Sequence, residues 1–164
     1  MFFRKRFFRL VLLSVLSVTA IACSAEQDSG STRAAEFEVF KSATCGCCKR
    51  WVEHMQKAGH HLSATNVADL AQVKSRLGIP AAMGSCHSAV SANGYVFEGH
   101  IPARYIKSFL DSPPEGALGL SVPGMPAGSP GMEMGGRFSP YVVWLLRKDG
   151  RTEVFASVNR PEQQ

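Results

Sequence analysis

The chain has no Ser/His/Asp arrangement, no carboxylate pair placed for acid–base work, no glycine-rich phosphate cradle and no nucleotide motif. Hydrolytic, phosphoryl-transfer and dinucleotide chemistry therefore have no residues to stand on. An apolar run long enough to span a bilayer is also missing. The uncharged stretch Leu10–Ala22 is too short for that, and it follows an acid-free segment carrying Arg4, Lys5, Arg6 and Arg9. A short apolar core behind a basic start is the pattern of a signal peptide, with Ala20-Ile21-Ala22 meeting the small-residue cleavage rule. Ala20-Ile21-Ala22-Cys23 also resembles a bacterial lipobox, which would make Cys23 a lipidated residue. Leucine is usual where Ala20 stands.

A basic stripe is lacking too. The whole chain has 18 Lys+Arg against 13 Asp+Glu. Removal of residues 1–22 takes the four basic residues of the leader with it, leaving 14 against 13 and a formal charge of about +1. The pI of 9.1 is thus a property of the leader, and nucleic acid is not an expected partner. Export sets the redox expectation: cysteines in a periplasm are disulfides, redox-cycled or held by metal.

Cysteine is scarce, five in all, and three of the five crowd into Thr44-Cys45-Gly46-Cys47-Cys48. Ahead of them, Glu36 to Lys41 alternates as a short strand would. Behind them, Trp51, Val52 and Met55 fall at helical spacing up to a stop at Gly59. The cysteines thus belong to a strand-to-helix turn, where free N–H groups and the helix dipole favour thiolate. Cys45 and Cys48 have the C-x-x-C spacing of a redox pair, with Cys45 as attacking thiol and Cys48 as resolving thiol. Cys47 adds a third soft donor, which points to Cu(I), zinc or an iron–sulfur cluster. Disulfide staples of secreted proteins usually join distant segments, so a merely structural bridge is the weaker reading.

The remaining organisation follows in order. Residues 23–35 are small and polar, a flexible linker. Residues 36–157 form one domain, and residues 158–164 a tail. Leu62–Val67 predicts a second strand, and Asp69 caps a helix through Leu77 that stops at Gly78. The charged residues of 69–76 read as a solvated helix face. Gly78-Ile79-Pro80 resembles the cis-proline position of thioredoxin-like folds. Ala89–Glu98 predicts a hairpin turning at Asn93-Gly94, and a helix runs from about Ala103 to Leu110. The sum is an α/β, thioredoxin-like four-stranded sheet with flanking helices. Gly116–Gly136 is so rich in Gly and Pro that no helix or strand is expected there. A last hairpin spans Tyr141–Leu146 and Arg151–Phe155.

In that fold the segment facing the cysteine turn carries Cys86, His87 and, nearby, His100. The candidate metal ligands are therefore Cys45, Cys47, Cys48, Cys86, His87 and His100, with the thioethers of Met125 and Met132 as weaker candidates. His54 lies two helical turns past Cys47 and reads as a supporting or packing residue; His60 and His61 read as solvent-facing caps. Structural zinc sites usually pair separate C-x-x-C units, whereas crowded thiolates can bridge several Cu(I) ions, so the donors favour copper over zinc.

Cys-Gly-Cys-Cys-x-x-Trp-x-x-His at 45–54, Ser85-Cys86-His87, Gly94–Pro102 and Val122–Glu133 together resemble the CopG-type family of exported bacterial copper-resistance proteins. The resemblance covers residues 36 to about 157. It implies a thioredoxin-like fold, a CxCC-based copper site and a role in periplasmic copper handling, with copper-resistance or redox proteins as partners. A soluble periplasmic protein or one anchored by lipid at Cys23 fits equally. Two other classes stay open: a thiol–disulfide oxidoreductase using Cys45 and Cys48, and a structural zinc module.

Overall fold

The computed structural model describes residues 36–164. The leader, Cys23 and the linker lie outside the described residues. The fold is mixed α/β around one seven-stranded sheet. Its strands are β1 Phe37–Lys41, β2 Leu62–Asn66, β3 His87–Ser91, β4 Val96–Gly99, β5 Ala117–Val122, β6 Tyr141–Arg147 and β7 Thr152–Val158. The helices are α1 Gly46–Lys57, α2 Leu70–Arg76 and α3 Ala103–Asp111. The strand order is β2-β1-β3-β4-β5-β6-β7. β1 runs parallel to β2 and antiparallel to β3, β3 is antiparallel to β4, and β4 is parallel to β5.

Local chemistry explains the boundaries. Asp69 accepts the Gln72 N–H at 2.9 Å and starts α2. Gly59 and Gly78, at φ +92° and +71°, take the left-handed conformation that ends α1 and follows α2. α1 and α3 bury Trp51 and Met55, and Ile106 and Phe109, in one cluster with Phe37, Val39, Phe97 and Leu120 from the sheet. The Trp51 indole N–H is not lost in that core: it donates to the Ile101 carbonyl at 2.9 Å.

Three expectations need correction. The sheet has seven strands, because residues 117–122 form a strand where glycine content predicted none. Gly119 is there for space: a Cβ would lie 1.7 Å from the Val96 carbonyl oxygen of the neighbouring strand. β5 then joins the C-terminal hairpin to the rest, pairing with β6 on its far side. Pro80 is not cis; the described residues contain no cis peptide bond. It opens a single 3-10 turn, Ala81–Met83, well ahead of β3. Lys74, finally, is not solvated as the rest of its helix face is. Its side chain, 16 % exposed, ion-pairs with the fully buried Glu98. At the C-terminus, Pro161–Gln163 forms a 3-10 turn, and the Gln164 amide donates to the Gly128 carbonyl at 2.8 Å.

Candidate metal centre

The site assembles where strand ends meet. β1 leaves the sheet at Lys41, and the cysteine turn follows directly. Cys45 occupies the N-cap of α1, its sulfur accepting the Cys48 N–H at 3.3 Å. The antiparallel register sets Lys41 opposite His87, so the residue before β3, Cys86, arrives beside that turn. Ser88 pairs with Glu98 in turn, which brings the residues after β4, and hence His100, alongside. Cys86 faces the cysteine turn.

Cys45 and Cys48 are joined by a disulfide with their Cα atoms 5.4 Å apart, while Cys47 and Cys86 are free thiols. The Cys47 sulfur lies 3.4 Å from that of Cys45 and 3.9 Å from that of Cys86. Cys48 Sγ is 3.4 Å from Cys86 Sγ. All four sulfurs lie within 4.8 Å of one another, and Cys86, His87 and His100 form a second group that satisfies the same limit. Cys86 belongs to both.

The histidines are set up as neutral donors. His100 Nδ1 is 2.8 Å from the Pro130 carbonyl oxygen, which can only accept. Nδ1 therefore carries the proton, and the Nε2 lone pair faces the Cys86 sulfur at 3.0 Å. His87 is fully buried, its ring 4.4 Å from that of Trp51 and 5.0 Å from that of His100. Its Nδ1 lies 3.4 Å from Cys86 Sγ, while its buried Nε2 has no hydrogen-bond partner. Burial holds the His87 pKa well below the usual imidazole value, with His100 and Lys74 acting the same way against the raising effect of the Gly99 backbone. Burial also lowers that of His100, against the opposing pull of the Pro130 carbonyl and Glu133. The Cys86 thiol is pushed up to about 12, by burial first and then by Cys47. A half-buried sulfur that resists becoming an anion alone is one that a cation would stabilise.

The donors fit a soft or borderline metal. Both groups consist of cysteine and histidine alone. That composition suits copper or zinc rather than calcium or magnesium. The orphaned His87 nitrogen is a further buried polar atom for which a ligand would account.

The remaining candidates sit in varied surroundings. Met125 is 53 % exposed, and Met134 likewise; Met132 is half-buried, directly after a glycine packed on the cysteine helix. His54 is engaged elsewhere, its Nε2 accepting the Ala103 N–H at the start of α3. His60 is no simple cap, since its Nδ1 lies 3.2 Å from the Glu36 carboxylate; His61 is exposed.

Sequence reasoning missed the support beneath Cys86. Glu98 accepts the Ser85 N–H at 2.6 Å and the Ser88 hydroxyl at 2.5 Å, besides pairing with Lys74. Lys74 also donates to Ser88 Oγ at 3.2 Å. A lone acid inside the apolar strand Val96–Gly99 was the available signal. Arg50 was missed as well; its Nε donates to the Gly131 carbonyl at 2.9 Å.

Comparison with known proteins agrees with this chemistry. Residues 83–132 match the family described as "Protein of unknown function, DUF411". Among curated proteins there is no match. A solved structure titled "Copper resistance protein copG- Form 1" is 42% identical, with a TM-score of 0.71, over 77% of this chain and 98% of that one. A second, titled "Copper resistance protein copG- Form 2", is 43% identical, with a TM-score of 0.70, over 74% and 96% respectively.

Proposed function

The chain belongs to the family of the CopG copper-resistance proteins, and on that premise we propose that it handles copper by binding Cu(I) at its cysteine cluster. The ligands are the sulfurs of Cys45, Cys47, Cys48 and Cys86, with the His87 and His100 imidazoles beside them. One observation carries this reading: six soft or borderline donors, contributed by three separate strand ends, with no carboxylate in either group. So many sulfurs in so small a space favour more than one ion. Met125 and Met132 are the weakest members of the set, candidates for passing copper inward from the loop surface. Bound copper supplies one-electron chemistry between Cu(I) and Cu(II).

The run β1-α1-β2-α2-β3-β4-α3 is read as a thioredoxin-like core, supported by the strand order β2-β1-β3-β4. The working location is the periplasm, free or tethered through lipid at Cys23, with other copper-resistance or redox proteins as partners.

A second reading has its own observation. The Cys45–Cys48 disulfide, with Cys45 at a helix N-cap, is what a thiol–disulfide oxidoreductase would carry. One anaerobic experiment separates the two. The reduced domain is titrated with Cu(I), with X-ray absorption at the copper edge, alongside a Cys47→Ser variant. Copper binding predicts sulfur-dominated coordination and fewer or weaker ions in the variant. Disulfide catalysis predicts that Cys47→Ser changes nothing and that added Cu(I) leaves reduction of a model disulfide intact; that pair of results would sink the copper reading.

A further inference from the structure

We propose that the turn Ser129–Met132 is a positioning element for the centre, and that its seat on the cysteine helix is what presents His100 Nε2 to the sulfurs. The proposal rests on the copper-binding reading above for the meaning of His100, though not for the geometry of the turn.

A neutral imidazole has one proton and two nitrogens, and the partner of one nitrogen decides which is left as donor. For His100 that partner is no side chain but the Pro130 carbonyl, 2.8 Å from Nδ1. The carbonyl's place depends in turn on how the loop after β5 sits. Gly131, the next residue, is buried against α1: a Cβ there would meet the Cys47 carbonyl oxygen at 2.6 Å and the Trp51 nitrogen at 2.8 Å, at φ +85°. No other residue type fits without lifting the turn. Arg50, one turn along α1, holds the same peptide by donating to the Gly131 carbonyl at 2.9 Å. The turn closes on itself, with Met132 N–H donating to the Ser129 carbonyl at 2.7 Å and Ser129 Oγ to the Pro126 carbonyl at 2.7 Å. The Pro130 carbonyl is therefore fixed to the helix that carries Cys45, Cys47 and Cys48. The ring that hangs from it is aimed at Cys86. One backbone turn thereby ties the cysteine helix and the histidine into a single arrangement.

The test reads the tautomer directly, in the reduced, metal-free protein labelled with 15N. Two-bond 1H–15N imidazole spectra at neutral pH should show His100 with its proton on Nδ1. Gly131→Ala should mix in the Nε2–H form and weaken Cu(I) binding, measured by chelator competition, on the order of 10- to 100-fold. Gly135→Ala is the matched control. It lies in the same loop at φ +59°, with nothing within 4 Å of the added methyl, so it carries the strain without the collision. It should leave tautomer and affinity unchanged. Arg50→Gln removes the exposed tether without a clash and keeps the test alive should Gly131→Ala misfold; it should shift both readouts in the same direction by less. A pure Nδ1–H signal in both Gly131→Ala and Arg50→Gln overturns the proposal, whatever copper does. A changed tautomer with undiminished affinity overturns it as well, since presentation of Nε2 would then not matter. A changed tautomer in a protein whose wild type binds no Cu(I) upholds the positioning and overturns the copper reading instead.

Discussion

Replacing Lys74 by methionine should be far more damaging than loss of an ordinary surface lysine. Its partner Glu98 is fully buried, and Lys74 itself is only 16 % exposed. Without the ammonium, the carboxylate keeps the Ser85 N–H and Ser88 O–H as partners but has no counter-charge. Breaking such a pair costs about 3–5 kcal/mol, against about 1 kcal/mol or less when both charges are solvated. Because Lys74 retains some water, the lower end applies, about 3 kcal/mol. For a domain of this size that corresponds to a fall in Tm on the order of 10 °C. The double variant Lys74→Met/Glu98→Gln removes both charges and should recover most of the loss, since a neutral replacement of a buried pair is often tolerated. The assay is urea unfolding of the wild type, both single variants and the double, with m held as a check on two-state behaviour. Ser85, held by Glu98, precedes Cys86 and links the ion pair to the cysteine cluster. Alkylation of Cys86 should quicken in Lys74→Met under native conditions and slow again in the double variant. A Lys74→Met cost below about 1 kcal/mol at unchanged m, with no recovery in the double variant, would refute this reading of the pair.

Two further predictions rest on single distances or environments. With Cys45→Ser, oxidation by diamide should close a Cys48–Cys86 disulfide, because those sulfurs stand 3.4 Å apart; peptide mapping that finds Cys47–Cys86 dominant instead would contradict the geometry. His54 is lowered below its ordinary 6.5, chiefly by burial and in part by Lys57, against the raising effect of Glu133. A depressed histidine contributes stability that is complete above about pH 6.5 and lost as pH falls through the folded-state value, so unfolding followed between pH 7 and pH 5 should show an acid slope that His54→Gln reduces.

The first half of the domain was legible because each signal there is local. Alternation in Glu36–Lys41, the Asp69 cap and the stops at Gly59 and Gly78 all depend on residues a few positions apart. Legibility of the cysteine turn as a strand-to-helix junction follows from the same fact. β5 was not legible, because Gly119 serves a neighbour in another strand: glycine reads as a breaker until the Val96 backbone is seen pressing on it. The Lys74–Glu98 pair hid for a related reason. A lysine on a polar helix looks solvated, and only the sheet, which carries Glu98 beneath it, reveals the partner. The six cysteine and histidine candidates could be named from spacing and motif, but the tautomer of His100 could not. It is set by the Pro130 carbonyl, 30 residues away along the chain, and a backbone carbonyl leaves no mark on sequence.

If the cluster binds metal as proposed, the disulfide and the metal compete for the same atoms, and this sets the last prediction. In the structure the Cys45 and Cys48 sulfurs share a bond, so the donors still free are Cys47, Cys86, His87 and His100. Reduction by two electrons and two protons returns two thiols to the centre, one of them at the α1 N-cap, where thiolate is favoured. Metal capacity should therefore follow the redox state of this one bond. Copper is a poor probe of the point, since Cu(I) can itself give electrons to a disulfide. Ag(I) is soft like Cu(I) but does not donate that electron, so it counts donors without changing them. Native mass spectrometry of the reduced and disulfide forms with Ag(I) should find fewer ions per chain, held more weakly, in the disulfide form. Reducing that form with a phosphine, followed by its removal, should restore the full count. Equal counts and equal retention in the two forms would mean that Cys45 and Cys48 are not ligands. The centre would then belong to Cys47, Cys86 and the histidines, with the C-x-x-C pair left to disulfide chemistry.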